Sequence, residues 1–377
     1  MSRAHPRFCD WLPSGGDVLD SLTGGQIAIM GDMPLLCSEG FNSGLALELL
    51  DLAGLKPAAH RFHFRAGEEL SRLSEVASSL DCRLVFQHAY PSGPLDDRCW
   101  IDPRLLCDLN NKAKLAELVP PGSAPSRRAV ESASYFNDGD HALPAVLKVV
   151  TDQSNGGGRG VAICRNASDL KSAASLFGKC ERIVVEEILE IERNPCLNFA
   201  VMSDGKVSYL GFADQDVTRD GKYQGNWIDR GSSIPESAVN IAMEAAKRGS
   251  ALGYRGIVGV DLAITPEGLV YVLDLNFRLN GCTSSILLAD AVAERTGAGT
   301  MHFRTLRTPA DAGTLASLLR PHVAGGRLVP LNFFDPAAAG YSNSPSSVQT
   351  LVLGSSRAEV LAIEADLIPR LKEGSFA

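Results

Sequence analysis

Two short segments carry the residues best suited to chemistry, Gly259-Val260-Asp261-Leu262 and Val272-Leu273-Asp274-Leu275-Asn276-Phe277-Arg278-Leu279-Asn280-Gly281. On a strand, side chains alternate faces, so Asp274, Asn276 and Arg278 share one face. A tight turn at Glu267-Gly268 pairs Asp261 with Asp274, and a four-residue loop pairs it with Val272. Either register brings two carboxylates and an amide oxygen to one surface. Adjacent carboxylates against Val, Leu, Ile and Phe are costly without a cation. Three hard oxygens beside an arginine suit Mg²⁺ and phosphate.

A second cluster is Lys148 in Leu147-Lys148-Val149, followed by Asn155-Gly156-Gly157-Gly158-Arg159-Gly160. Glycines let backbone N–H groups approach phosphate oxygens, and a lysine adds a point charge. No Lys-Ser/Thr follows the last glycine, so the run reads as a hairpin lid rather than a P-loop. Val184-Val185-Glu186-Glu187-Ile188-Leu189-Glu190-Ile191-Glu192 is a strand running into acids. Its backbone suits adenine, and a carboxylate suits ribose hydroxyls. Thr218 to Asn226 is a polar loop, either a lid carrying Lys222 or plain exposed chain.

The elements that must position these groups alternate between strand and helix. The pattern predicts a strand at Gln26–Met30, helices at 43–52 and 68–80, and a strand at Arg83–Gln87. Asp102-Pro103 opens a helix expected to run to Leu118. Strands follow at 145–150, 161–164, 182–187 and 257–264, and at 269–276 after the turn Thr265-Pro266-Glu267-Gly268. Helices are expected at 235–252 and 284–294. Residues 324–348 read as a looser Gly/Pro/Ser-rich stretch before a helix at 357–371. No GxGxxG follows the first strand, so a dinucleotide site is a poor reading.

Composition narrows the classes further. The chain has 377 residues, enough for two or three domains, with 45% hydrophobic and 21% charged residues and a net charge of −8. That balance disfavours nucleic acid. No apolar run is long enough to span a bilayer, and the first residues lead into no apolar signal core. Nine cysteines without a CxxC pair point to reduced thiols and a cytoplasmic protein.

In chain order, Lys112 (in Asn110-Asn111-Lys112-Ala113-Lys114), Lys148, the glycine hairpin, the acidic hinge, the 218–226 loop and the Asp…Asp-x-Asn-x-Arg strand pair resemble the ATP-grasp superfamily. The resemblance is firmest over residues 110–290. It implies an α/β (α+β) ATP-grasp fold, with an N-terminal pre-ATP-grasp domain (1–110) and a small lobe bearing the glycine loop (111–187). A large lobe with the Mg²⁺ site (188–300) and a C-terminal extension packed on it (301–377) complete the expected layout.

The resemblance assigns Lys112 and Lys148 to nucleotide phosphates, and Gly156, Gly157, Gly158 and Gly160 to the phosphate-covering loop. It gives Glu186, Glu187 and Ile188 to the adenine hinge, and Glu190 or Glu192 to ribose. Asp261, Asp274 and Asn276 become the ligands of one or two Mg²⁺ ions. Arg278 steadies the transferred phosphoryl group and Lys222 closes over it. Arg278 and a backbone N–H from Asn280-Gly281 would stabilise an oxyanion. Departures from the family pattern are Asp274 in place of the commoner glutamate and Phe277 in place of proline. Gly259 stands where some amino-acid ligases have arginine, with Arg255 as the nearest substitute.

The implied activity is an ATP- and Mg²⁺-dependent ligase. It joins a carboxylate to an amine through an acyl phosphate, with amino acids or small peptides as substrates and a homodimer as its assembly. An ATP-grasp kinase, a cyclising ligase and a non-catalytic nucleotide-binding regulator are the alternatives. No cysteine is expected to act as a nucleophile.

Overall fold

The computed structural model describes residues 4, 9–12, 15–88, 95–138 and 141–373. The N-terminal segment carries a parallel pair, β1 (Leu35–Ser38) and β2 (Arg61–Phe64). The small lobe is a four-stranded antiparallel sheet of β3 (Arg127–Glu131), β4 (Ala145–Val150), β5 (Val161–Cys164) and β6 (Arg182–Glu187), ordered β3-β6-β4-β5.

The largest sheet has eight strands. They are β7 (Pro195–Val201), β8 (Val207–Val217), β9 (Tyr223–Asp229), β10 (Gly256–Ile264), β11 (Val270–Asn276), β12 (Thr300–Thr308), β13 (Leu328–Phe334) and β14 (Ser346–Gly354). Their order is β11-β10-β7-β8-β9-β12-β14-β13. The hairpin bearing Asp261 and Asp274 therefore forms one edge of the sheet, and β13 forms the other.

The last strands thus continue the sheet rather than pack upon it. The stretch 324–348, expected to be loose, contains all of β13, whose seven residues are buried. Pro330 is tolerated there because β13 is an edge strand and its register slips between Pro330 and Asn332.

Two expected strands do not form. Residues 26–30 wind through successive tight turns, with Ile27 N–H on Gly24 O (3.1 Å) and Ile29 N–H on Gln26 O (2.9 Å). A short apolar run buries equally well as turn or strand, and here Ile27 is fully buried. Of residues 83–87, only Leu84 bridges, to Cys99.

The helix after Asp102 begins as expected, with the Asp102 carboxylate accepting from Arg104 N–H (2.7 Å) and Leu105 N–H (3.1 Å). It stops at Asn110, however, rather than at Leu118. Asn111 turns extended, and its side chain caps a new 3₁₀ turn, Lys112–Lys114, by accepting from Ala113 N–H (3.0 Å). That break points Lys112 inward.

The three largest cores hold most of these layers. Helix Glu236–Ala251 covers β7, β10 and β11 through Ala238, Ala242, Ala245 and Ala246. Helix Ala167–Phe177 covers the small-lobe sheet through Ala173 and Phe177. The largest core joins Ile27, Phe41, Leu49 and Leu50 to Leu315, Leu331, Phe333 and Leu351, so the first 60 residues and the last 90 share one interior. Among the described residues no helix is long and apolar enough to cross a membrane, and no disulfide links the nine cysteines.

Candidate active site

The register of β10 and β11 decides the centre of the site. The turn Thr265–Gly268 closes with Thr265 N–H on Leu269 O (2.9 Å) and with Gly268 in the left-handed region (φ +80°). Ile264 pairs with Val270, a register that would set Asp261 opposite Leu273, on the wrong face. A bulge between Asp261 and Leu262 restores the parity, and Asp261 pairs with Asp274. Asn276 Nδ2 donates to Asp261 Oδ2 (3.2 Å), and Arg278 donates to Asn276 Oδ1 (2.6 Å). Alternation thus carries one polar face from Asp274 through Asn276 to Arg278.

The two lysines converge on this face from different elements. Lys112 Nζ meets Asp274 Oδ2 at 2.6 Å with the lysine almost fully buried. Lys148, in the middle of β4, donates to Leu273 O (2.8 Å) and pairs with Glu186 Oε2 (2.6 Å). The other Glu186 oxygen lies 3.3 Å from Arg127 Nη1, and Arg127 also donates to Lys112 O. Sequence reasoning did not single out Arg127. Only the pairing of β3 with β6, which sets Arg127 opposite Glu186, brings it in.

This alternation of charges shifts the titrations. Burial and the positive charge of Lys112 hold the Lys148 ammonium below its ordinary pKa, against the pull of Glu186. Burial works to raise the Asp274 pKa, yet Lys112 and Lys148 outweigh it and the carboxyl titrates low. Asp261 is pushed up, by burial first and then by the Asp274 charge. The pair is thus short of a cation on the Asp261 side. Asp261 and Asp274 present hard carboxylate oxygens there, which fits Mg²⁺, with the Asn276 amide oxygen as a third ligand once it leaves Arg278. The Cys196 thiol borders Asp261.

The glycine hairpin connects β4 to β5, with Val149 N–H on Gly160 O (2.9 Å) and Val161 N–H on Gly158 O (3.1 Å). Gly158 is in the left-handed region (φ +75°), and a Cβ there would sit 2.7 Å from Gly221 O, so the hairpin touches the 218–222 turn through a position only glycine fills. Lys222 stands on that turn, largely exposed and paired with Asp220 (2.9 Å). It is not drawn in with Lys112 and Lys148. The N-terminal segment grips the other side of the hairpin. Trp11 bridges Asn155 and stacks on Phe177 at 5.8 Å, while Asp10 and Gln153 exchange hydrogen bonds at 3.1 Å.

At the hinge, Glu186 points inward to Lys148 and Arg127. Glu187 is engaged by Ser126, whose N–H donates to its carboxylate (2.6 Å) and whose carbonyl accepts from its N–H (3.0 Å). Ile188 follows half-buried, and Glu190 and Glu192 are exposed.

Beyond Arg278, the Asn280 amide is held by Asn198 Oδ1 (3.2 Å) and by Cys282 N–H (3.1 Å), and its own N–H donates to Thr283 Oγ1 (3.0 Å). This anchored amide explains Gly259: a Cβ there would lie 2.0 Å from Asn280 Nδ2, so no arginine fits. Arg255 does not replace it. Its guanidinium is spent on Ser203 O (3.2 Å) and Ser250 O (2.9 Å). A large cleft of about 1550 Å³ opens against helix Ala167–Phe177 and borders the site along residues 149–153, residues 157–159 and Lys222.

A glycine hairpin over a lysine-bearing sheet, facing a carboxylate hairpin on a second sheet, defines an ATP-grasp protein. Two sequence-family models of one ligase match this chain. "L-aspartate–L-methionine ligase, ATP grasp" covers residues 125–276 and "L-aspartate–L-methionine ligase N-terminal domain" covers residues 1–107, together more than two thirds of the chain, which belongs to that family.

Among solved structures, the ADP complex of an N5-carboxyaminoimidazole ribonucleotide synthetase superposes with a TM-score of 0.60 at 12% identity, covering 92% of this chain and 93% of that one. The biotin carboxylase of Campylobacter jejuni gives 0.54 at 15% identity, covering 90% and 85%. At such identities the likeness is one of fold. The 2-oxoglutarate carboxylase small subunit of Hydrogenobacter thermophilus is 25% identical over 172 residues, 42% of this chain. The match spans about a third of that relative's length (34%).

Proposed function

We propose that the protein is an ATP-dependent carboxylate–amine ligase that joins the carboxylate of aspartate to the amino group of methionine. ATP is cleaved to ADP and phosphate through an acyl phosphate. The observation that carries this reading is the convergence of Lys112, Lys148 and Arg278 on the cross-strand pair Asp261–Asp274, within a chain matched in both domains by the one ligase family.

The residues divide the work as follows. Lys112 and Lys148 exchange their present carboxylate partners for nucleotide phosphates, and the glycine hairpin folds its N–H groups over them. Asp261, Asp274 and Asn276 hold Mg²⁺, which when bound spreads the negative charge of the transferring phosphoryl group. The β6 hinge from Glu186 to Ile188 borders adenine, with Glu190 or Glu192 near ribose. The substrate carboxylate oxygen attacks the γ-phosphorus and the bond to ADP breaks. The amine then adds to the acyl carbon and phosphate leaves.

Arg278 faces the oxyanion of that addition, with the Gly281 N–H beside it, the Asn280 N–H being spent on Thr283. Asn280 orients Arg278's flank through Asn198, and Lys222 reaches the nucleotide only if the 218–222 turn closes. The hairpin and Trp11 exclude water that would hydrolyse the acyl phosphate.

The test is ADP release with Mg-ATP against amino acids singly and in pairs, with mass analysis of the product. Turnover requiring both aspartate and methionine, and a loss of roughly 100-fold or more in Asp274→Ala, is the expected result. Turnover with one substrate would replace the ligase by a kinase or a cyclising enzyme. Stoichiometric nucleotide binding without turnover would leave a regulator.

A further inference from the structure

Behind Arg278 lies a second, small pocket of about 20 Å³, walled by Gln87 and His88 of the N-terminal segment, Asn110, and Ser154–Asn155 at the start of the glycine hairpin. Its size suits one water molecule or one carboxylate group entering from the site. Two atoms on its wall, Gln87 Nε2 and Ser154 Oγ, are buried without a hydrogen-bond partner, and Ser154 as a residue is only 6% exposed. A buried donor left unpaired is costly, so such a pair calls for an occupant.

The charges around the pocket say which occupant. Arg278 gives one N–H to Asn276 Oδ1 (2.6 Å) and another to Asn155 O (3.3 Å), and its planar fork carries five donors. The wall's acidic residue, Asp152, is turned elsewhere: its carboxylate accepts from Asn111 (2.8 Å) and its carbonyl from Cys107 Sγ (3.6 Å). His88 is held neutral, its pKa pushed down to about 3 by burial and by the Arg278 charge, so it adds a ring N–H without a second cation. An amide donor, a hydroxyl, an imidazole and a guanidinium line the space, and the acidic residue on its wall, Asp152, is held by Asn111.

We infer that this pocket binds a carboxylate of an amino-acid substrate other than the one being activated, with Gln87 and Ser154 as the residues that select it. The inference rests on the ligase reading. Both amino acids of that reading own such a group. The activated aspartate keeps a second carboxylate, and the incoming methionine keeps its α-carboxylate. Gln87 is contributed by the N-terminal segment rather than by the ATP-binding lobes, which gives that segment a direct part in substrate choice.

Wild type, Gln87→Glu and Ser154→Ala are compared in the ligase assay. They are also compared by calorimetric titration of each amino acid into protein holding a non-hydrolysable ATP analogue and Mg²⁺. Gln87→Glu preserves shape while turning an amide donor into a like charge. Loss of one hydrogen bond to a charged group predicts a KM for one amino acid raised roughly 10-fold or more in Ser154→Ala, and further in Gln87→Glu, with the KM for ATP unmoved.

Asparagine in place of aspartate, and methioninamide in place of methionine, identify the source. The variants lose the wild type's discrimination for whichever pair presents its carboxylate to the pocket. Unchanged amino-acid KM and discrimination in both variants overturns the inference and leaves water as the occupant. If wild type turns over no aspartate–methionine pair, the ligase reading fails instead. The titrations then decide the pocket alone: weaker amino-acid binding in Gln87→Glu sustains it, and equal binding, or none to wild type, overturns it.

Discussion

Asp261 and Asp274 are partners across one hairpin and yet titrate in opposite directions. Lys112 bonds Asp274 directly and Lys148 acts on it. Asp261 is hydrogen-bonded to Asn276, Cys196 and Gln215, and Lys112 acts on it more weakly than burial and the Asp274 charge. A carboxyl whose folded pKa is raised contributes stability that is full below its unfolded value, about pH 4, and is lost as pH rises through the folded value. The nucleotide-free protein therefore carries a strain at neutral pH that Asp261→Asn removes. The Tm of the variant minus that of wild type is expected to be larger at pH 8 than at pH 4, growing as pH rises from the unfolded value through the folded one, while ligase turnover falls by roughly 100-fold. Tm curves running parallel across that range would refute the account. The residues of this hairpin were legible in the sequence because period-two alternation is local. Arg127, Gln87 and His88 were not, since strand pairing and domain packing bring them to the site from far along the chain.

Elements set the positions of these groups by small irregularities that composition does not announce. The bulge after Asp261 rescues the face of a carboxylate that the turn alone would misdirect, and the sequence reading reached the pairing without foreseeing the bulge. The stop at Asn110 similarly converts one long expected helix into a cap that aims Lys112. Where β10 faces the end of β11, Gly259 and Asn280 fit only as a pair. Gly259→Ala drives a methyl into the Asn280 amide and is expected to cost about 1–3 kcal/mol. Adding Asn280→Ala makes room, so the double variant should unfold at a higher denaturant concentration than Gly259→Ala alone. A double variant no more stable than Gly259→Ala would mean that the clash is relieved elsewhere. Both variants should lose turnover, because each disturbs the backbone beyond Arg278.

For the molecule as a whole, the motifs could be ordered along the sequence, but how the ends of the chain are built in could not be read there. Residues 301–377 were expected as an extension packed on the large lobe, with Gly, Pro and Ser over 324–348 suggesting slack chain. Instead they supply three strands of the eight-stranded sheet and the partner for helix Gly44–Leu52. The pairing β12–β14–β13 is non-local, so no window of sequence displays it. A chain ending at Gly299 leaves β9 as a bare edge and exposes Ile27, Phe41, Leu49 and Leu50. It is expected to appear in the insoluble fraction, whereas the full chain stays soluble and elutes as a defined species on gel filtration. A soluble, nucleotide-binding truncation would show that the shared core is dispensable.

That shared core also has a consequence in time. Leu49 and Leu50 leave the ribosome well before the strand they pack on, Leu328–Phe334, is synthesised. At ordinary elongation rates the gap between them is roughly 15–60 s. During that wait helix Gly44–Leu52 presents an unsatisfied apolar face to the cell, while the ATP-binding lobes between can already close around their own cores. Synthesis speed and holdase supply should therefore govern the yield of this protein more than the stability of its finished form.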